Sequence, residues 1–169
     1  MAQKFLRLLS GVISELEALV TSAGAGDAGK IPALDATGKL DNSLMPVGIG
    51  ADSKILPASE NLAAGDLVNV WNDTGTAKAR KADATTAGKE ANGFVLSAVT
   101  LGNNATVYFD GTDTQLSSLT PGAVYYLATT AGGVTDTPPS GSGNVLQRVG
   151  RALSTTELTF EPGEPITLA

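Results

Sequence analysis

The first two dozen residues carry the only sustained helical period of hydrophobic positions in the chain. One row recurs at alternating three- and four-residue steps, the spacing of a coiled-coil seam: Leu6, Leu9, Ile13, Leu16 and Val20. A second row lies beside it at seven-residue spacing: Phe5, Val12 and Leu19. The combined stripe is broader than a two-helix seam needs and favours three or more helices. We predict an N-terminal oligomerisation helix over residues 1–23 that forms a homotrimer.

Two features of this helix stay open at the level of sequence. Leu6 and Ile13 take heptad position a in one register, whereas Leu9 and Leu16 take it in the other. A helix packed on the chain's own β domain is the alternative to an oligomerisation helix. A Gly-rich run follows the helix and should tether it loosely, so we favour oligomerisation.

Residues 24–60 consist of short segments that are separated by Pro and Gly. Prolines at 32, 46 and 57 exclude a continuous helix. Single aliphatic residues return every few positions, which is too sparse for a core within one chain. Three copies wrapped around a common axis could bury them, so we predict an extended, intertwined connector; a disordered linker is the alternative. The predicted trimer interface comprises Phe5, Leu6, Leu9, Val12, Ile13, Leu16, Leu19, Val20, Ile31, Leu34, Leu40 and Leu44.

From residue 61 to residue 169 the pattern changes to short alternating runs separated by turn signals. Residues 67–71 and 105–109 alternate, and residues 93–99 form the most apolar run, typical of a central strand. Asp110-Gly111 has the composition of a hairpin turn. Strands at about ten-residue spacing predict an antiparallel β-sandwich or small barrel. The fold class is therefore mainly β, with an N-terminal coiled-coil-like helix and an extended connector.

Composition narrows the possible functions. The chain of 169 residues has no His and no Cys, so the commonest general base and the thiolate and imidazole metal ligands are missing. A net charge of −6 disfavours a nucleic-acid partner. No apolar run reaches the roughly 18 residues that a membrane span needs, and no targeting segment is convincing. We expect no enzyme activity, no cofactor and no metal.

Few residues are candidates for catalysis or for binding a partner. Asp110 with Asp113, and Glu157 with Glu161, are carboxylate pairs by sequence proximity alone, and charged turns explain them better than sugar hydrolysis. The basic cluster Lys78, Arg80 and Lys81 is a possible capsid-contact patch, although a solvated edge strand guarded by Lys is the simpler explanation.

Residues 28–46 read AGKIPALDATGKLDNSLMP, which resembles the connecting segments of tailed-bacteriophage fibre and virion-surface proteins. Two further stretches, ANGFVLSAV and LTPGAVYYLATTAGGVTDTPPSGSGNVLQRVGRALSTTEL, resemble modules of phage head-decoration and head-fibre proteins. The resemblance implies a trimeric, non-enzymatic capsid decoration (cement) or head-fibre protein on the outer capsid surface, made in the host cytoplasm. Its partners would be two further copies of itself and the major capsid protein. The alternative is a short tail-fibre or receptor-binding protein that binds host glycan.

Overall fold

The computed structural model describes residues 3–45 and 51–169. The chain divides into two compact units, residues 1–50 and residues 51–169. Within the described residues the secondary structure is β, and the two helical segments are single 3-10 turns, Ala25–Asp27 and Asn42–Leu44. The predicted fold class, which carried an N-terminal helix, is therefore wrong.

The N-terminal segment is a β-hairpin of two strands, β1 (Lys4–Leu9) and β2 (Val12–Glu17). Ser10 and Gly11 form its turn with φ of 50° and 83°. Positive φ at both central residues defines the type I′ turn, whose twist matches the strands of a two-residue hairpin. The predicted coiled coil is therefore wrong, and so is a helical bundle as the means of trimerisation.

The physical reason for the error lies in the periodicity. Apolar residues fall at nearly every second position on both sides of the turn. Such a pattern also contains the three- and four-residue steps that are typical of a helix. Gly11 in the middle of a helix would cost about 1 kcal/mol relative to Ala. In a hairpin the same Gly relieves strain, because it takes a left-handed conformation without a Cβ clash.

The rest of the first unit is built from short turns. The predicted connector over residues 24–60 stays a prediction, and its residues 46–50 lie outside those that the structure describes. Leu19 forms a parallel bridge with Pro32: its N–H donates to Ile31 O at 2.9 Å, and Ala33 N–H donates to Leu19 O at 2.7 Å. Asp35 accepts from the N–H groups of Thr37 and Lys39 at 2.8 and 3.0 Å.

Aspartates fix each of these turns. Asp41 Oδ1 accepts from the Ser43 N–H at 2.9 Å, the bond that closes an Asx turn, and from Ser43 Oγ at 2.6 Å, while Asp27 Oδ1 accepts from Lys30 Nζ at 2.8 Å. These bonds favour the ionised form, so the pKa of each carboxyl lies below its usual value. The largest cause is Lys30 for Asp27, the Lys39 N–H for Asp35 and the Ser43 hydroxyl for Asp41.

The second unit contains twelve strands among its described residues. They are β3 Ser53–Pro57, β4 Leu67–Asp73, β5 Thr76–Lys81, β6 Gly93–Phe94, β7 Asn104–Tyr108, β8 Gly111–Asp113, β9 Val124–Leu127, β10 Val134–Thr135, β11 Val145–Leu146, β12 Arg148–Ala152, β13 Leu158–Phe160 and β14 Ile166–Thr167. One five-stranded sheet has the order β3-β7-β6-β4-β5 and a second has the order β10-β9-β12-β13-β8. Strands β11 and β14 form a separate pair. All ladder pairings are antiparallel.

The first of these sheets is covered on both faces around β4 and β6, because the alternating side chains there enter two different cores. Leu67 and Phe94 pack with the second sheet, whereas their neighbours Val68 and Val95 pack in a core on the opposite face. The chain after β3 reaches β5 through a parallel bridge between Ala58 and Ala79, which brings the two edges of the sheet together. Central strands that bury both faces read as apolar runs without clean alternation.

The two sheets meet around Phe94. Its ring centroid lies 5.5 Å from that of Tyr108, stacked, and 5.5 Å from that of Phe160, tilted. Within the second sheet, Gly150 of β12 lies close to the backbone of β13, since a Cβ there would lie 1.7 Å from Thr159 O. Only Gly fits at that position of β12, next to a register shift between Arg148 and Gly150 in its pairing with β9.

Two details of the strand prediction differ from the structure. The predicted strand over residues 93–99 is a strand only at Gly93–Phe94, after which the chain leaves the sheet. Asp110-Gly111 is not a hairpin turn, because it joins β7 of the first five-stranded sheet to β8 of the second.

Candidate functional site

The hairpin presents one bare apolar face. Directly paired residues of an antiparallel ladder share a face, so Lys4, Leu6 and Leu8 lie beside Glu17, Glu15 and Ile13, respectively. Leu6 is 73% exposed, Leu8 67% and Ile13 70%. Isolated exposed aliphatic residues are ordinary, but adjacent ones on a single small sheet mark a contact surface. We call the face formed by Lys4, Leu6, Leu8, Ile13, Glu15 and Glu17 the bare face.

The opposite face of the hairpin is partly covered by its own unit. Phe5 and Leu16 form a directly paired couple there, and both are half-buried. With Arg7, Leu19 and Lys30 they line an open groove of about 510 Å³. The two faces of β1 and β2 therefore differ: the opposite face is covered in part around Phe5 and Leu16, although Val12 on it is 65% exposed, and the other face meets solvent.

The predicted trimer-interface residues are divided by this geometry instead of forming one stripe. Leu6 and Ile13 belong to the bare face, whereas Phe5, Val12 and Leu16 belong to the opposite face, and the backbone of Leu9 pairs with Val12. Leu19 pairs with Pro32 as part of the turn region. Four further members of the predicted set are exposed: Val20, Ile31, Leu34 and Leu40. Leu44 is half-buried.

Sequence reasoning missed Leu8, which contributes to the bare face between Leu6 and the turn. A helical period places Leu8 off the seam, whereas a strand period places it beside Leu6. The signal was available in Ser10-Gly11, a turn dipeptide between two alternating runs of six residues.

The predicted basic patch is engaged within the chain. Lys78 Nζ lies 2.6 Å from Asp73 Oδ2, and Lys81 Nζ lies 3.1 Å from Asp66 Oδ2. Arg80 donates to Asn69 Oδ1 at 2.9 Å and its guanidinium carbon lies 4.9 Å from the centroid of the Trp71 ring, a cation–π contact. Lys78 and Arg80 share a face, while Lys81 lies on the other. As a capsid contact the patch stays a prediction, now with most of its charge paired.

Asp113 is the one fully buried carboxylate among the described residues. Its Oδ1 accepts from Gln115 N–H at 3.0 Å, but its Oδ2 has no hydrogen-bond partner. Burial raises the pKa of Asp113, and the charge of Asp66 adds to the shift. Asp110, its proposed partner for sugar hydrolysis, is exposed. Glu161 of the other proposed pair lies 3.1 Å from Arg148.

A second open cavity of about 670 Å³ lies beside edge strand β10. Its lining is rich in hydroxyl groups, from Thr129, Thr130, Thr135, Thr137 and Ser140, and includes Pro138 and Pro139. Within residues 3–45 and 51–169, no group of three or more acidic side chains is placed to hold a metal ion. In the same residues no helix is long and apolar enough to cross a membrane.

No known protein-family model matches the chain. No curated protein matches it significantly in sequence. The bare face and the resemblance of the connecting segment are therefore the observations that bear on function.

Proposed function

We propose that this chain is a non-enzymatic structural protein of a tailed-phage particle, a homotrimeric decoration protein of the outer capsid surface. The observation that carries the proposal is the bare face, where Leu6, Leu8 and Ile13 stay exposed in the single chain. An isolated two-stranded hairpin is marginal in water, so contact with further protein is what would stabilise it. The sequence of residues 28–46, which resembles the connecting segments of phage virion-surface proteins, supports a virion surface as the place of that contact.

The second unit supports the same proposal by its packing. Its cores are made of aliphatic and aromatic side chains, and the buried polar residues are Asn69, Asp113 and Gln147. Gln147 donates to Ala91 O at 3.1 Å and accepts from Ala91 N–H at 2.8 Å, which is a structural role. A rigid module of this kind adds stability to a shell through contact area shared among capsomers.

Deletion of the gene from the phage tests the proposal. Particles that lack the protein should assemble, lose tolerance to heat and osmotic shock, and adsorb normally to cells. Addition of purified protein should restore the tolerance, because many copies bound to the closed shell stabilise it by mass action. Normal heat tolerance together with lost adsorption would overturn the decoration proposal.

The alternative is a short tail-fibre or receptor-binding protein, and the hydroxyl-lined cavity beside β10 is the observation in its favour. Binding of host surface polysaccharide should then fall for Thr135→Val, at a residue of the cavity lining. Thr106→Val, at an exposed residue of β7 outside that lining, is the matched control. Equal polysaccharide binding by both variants would remove the cavity from consideration.

A further inference from the structure

The outer edge of β1 carries backbone groups that no described strand pairs. A two-residue turn makes Leu9 and Val12 a hydrogen-bonded pair, and Ala18 N–H donates to Gln3 O at 2.9 Å at the other end. The N–H and C=O groups of Gln3, Phe5, Arg7 and Leu9 therefore point toward β2. Those of Lys4, Leu6 and Leu8 point away from it, toward an edge to which residues 3–45 and 51–169 add no strand.

The outer edge of β2 is open over the same length. By the same alternation, the backbone groups of Ile13, Glu15 and Glu17 point away from β1. Leu19, the next outward residue, bonds with the segment at residues 31–33, which closes the edge there. A row of unpaired N–H and C=O groups on a strand without Pro is a template for another strand.

The two open edges differ in charge. Strand β1 carries Lys4 and Arg7 and no acidic residue, while β2 carries Glu15 and Glu17 and no basic residue. The charges of β1 are therefore complementary to those of β2. Within the hairpin, Lys4 Nζ lies 3.2 Å from Glu15 Oε1. The same complementarity holds between β1 of one copy and β2 of another. Pairing of β1 with β1 would oppose cations, and pairing of β2 with β2 would oppose carboxylates.

We propose that copies of this chain join edge to edge through their hairpins, the outer edge of β1 in one copy pairing antiparallel with the outer edge of β2 in the next. The inference rests on the proposed self-association and assigns its surface. Such a contact is head-to-tail, so it continues around a ring. Three copies close six strands of alternating direction into one small barrel with no open edge.

The registers that this pairing allows also match the side chains. With Lys4 opposite Glu15 of the next copy, Leu6 lies opposite Ile13 of that copy. With Lys4 opposite Glu17 of the next copy, Leu8 takes the place opposite Ile13. Both registers join a cation to a carboxylate and cover an aliphatic side chain that is exposed in the single chain.

A proline substitution tests the edge without changing the hairpin ladder. Leu6→Pro removes an N–H that faces away from β2, and Pro is tolerated at such an edge position. The mass in solution, measured by light scattering at micromolar concentration, should fall from that of three chains to that of one. In the single chain, amide exchange at Arg7 and Ser14, which pair within the hairpin, should stay slower than at Leu8 and Ile13, which face its outer edges. Retention of the wild-type mass by Leu6→Pro would overturn the proposal.

A second variant keeps the backbone intact. Leu8→Glu puts a carboxylate on the edge of β1, opposite Ile13 of the next copy in the second register, and adds negative charge to an edge that faces the acidic β2, so it should also give single chains. Leu153→Glu, at an exposed leucine of the second unit, is the matched control and should keep the wild-type mass. Equal masses for the two variants would overturn the edge pairing, and so would a single-chain mass for the wild type. Cosedimentation with particles measures decoration separately, so a trimer held by other contacts would refute this inference and leave the decoration proposal standing.

Discussion

Aliphatic residues in the cores of the second unit are buried, whereas those on the bare face of the first unit are exposed. Val68, Val107 and Leu158 of the second unit are completely buried, whereas Leu6, Leu8 and Ile13 of the first are about 70% exposed. Each five-stranded sheet of the second unit has a core against at least one face, and the sheet that holds Val68 has one against both. The hairpin has one neighbour for each strand and no layer over its bare face. The second unit buries its aliphatic cores within one chain, whereas the described residues of the first unit place no layer over Leu6, Leu8 and Ile13.

The largest expected effect comes from opening the core of the second unit. Phe94→Ala removes a ring that contacts Tyr108 and Phe160, so the free energy of unfolding of this unit should fall by about 3–5 kcal/mol. Denaturant unfolding measures it. Ile55→Ala, at an exposed position of β3, should change that free energy by less than about 0.5 kcal/mol. Similar losses for the two variants would show that Phe94 is not at the centre of the packing.

Acid should act on the two units in opposite directions. The pKa of Asp113 is raised by burial, so the folded protein binds this proton more tightly than the unfolded chain does. Its contribution to stability is present below the ordinary Asp pKa and is lost as the pH rises through the raised value. Asp113→Asn should therefore gain stability relative to wild type as the pH rises from acid to neutral. A pH series of denaturant unfolding checks this, and a constant difference between the two proteins would contradict it.

Asp35 provides the opposite case in the first unit. Hydrogen bonds from Lys39 and Thr37 lower its pKa, so its contribution is present above the ordinary Asp pKa and is lost as the pH falls through the lowered value. The protection of the Thr37 and Lys39 amides, measured relative to their intrinsic exchange rates at each pH, should fall in acid in the wild type and lose that dependence in Asp35→Asn.

The smallest effect separates a hairpin from a helix. Gly11 has φ of 83° in the turn, so Gly11→Ala should destabilise the hairpin by about 1 kcal/mol. In a helix the same substitution would stabilise by about the same amount. Ser10→Asn should be neutral or favourable, because Asn accepts positive φ more readily than Ser does. Amide exchange of Arg7 and Ser14 reports both changes, and slower exchange in Gly11→Ala would favour the helical interpretation.

Much of the second unit could be located from the sequence, because its strands alternate between flanking turns. The runs predicted at residues 67–71 and 105–109 coincide with β4 and β7. The end of β6 could not be located, since Phe94 and Val95 enter two different cores and give one uninterrupted apolar run. The partition of strands between two sheets depends on long-range pairing, which local patterns do not encode.

The N-terminal error has a different cause. Six-residue strands rich in Leu satisfy helical and strand periods together, and only the turn residues distinguish the two. The predicted trimer interface stays a prediction, and the distribution of its residues between two faces required the register of the hairpin. Leu8 became visible only with that register. The pairing of Lys78 and Lys81 with aspartates likewise depends on strand neighbours that are remote from the cluster in sequence.

Trp71 and its contact with Arg80 have a practical consequence for spectroscopy. It is the only Trp of the chain, and the three Tyr residues also belong to the second unit. Intrinsic fluorescence and near-ultraviolet circular dichroism of these chromophores therefore report on residues 51–169, and a cooperative fluorescence transition carries no information about the hairpin. The single Phe of the first unit, Phe5, is too weak an emitter to compensate. A Trp introduced at Phe5 would give the hairpin an optical signal of its own.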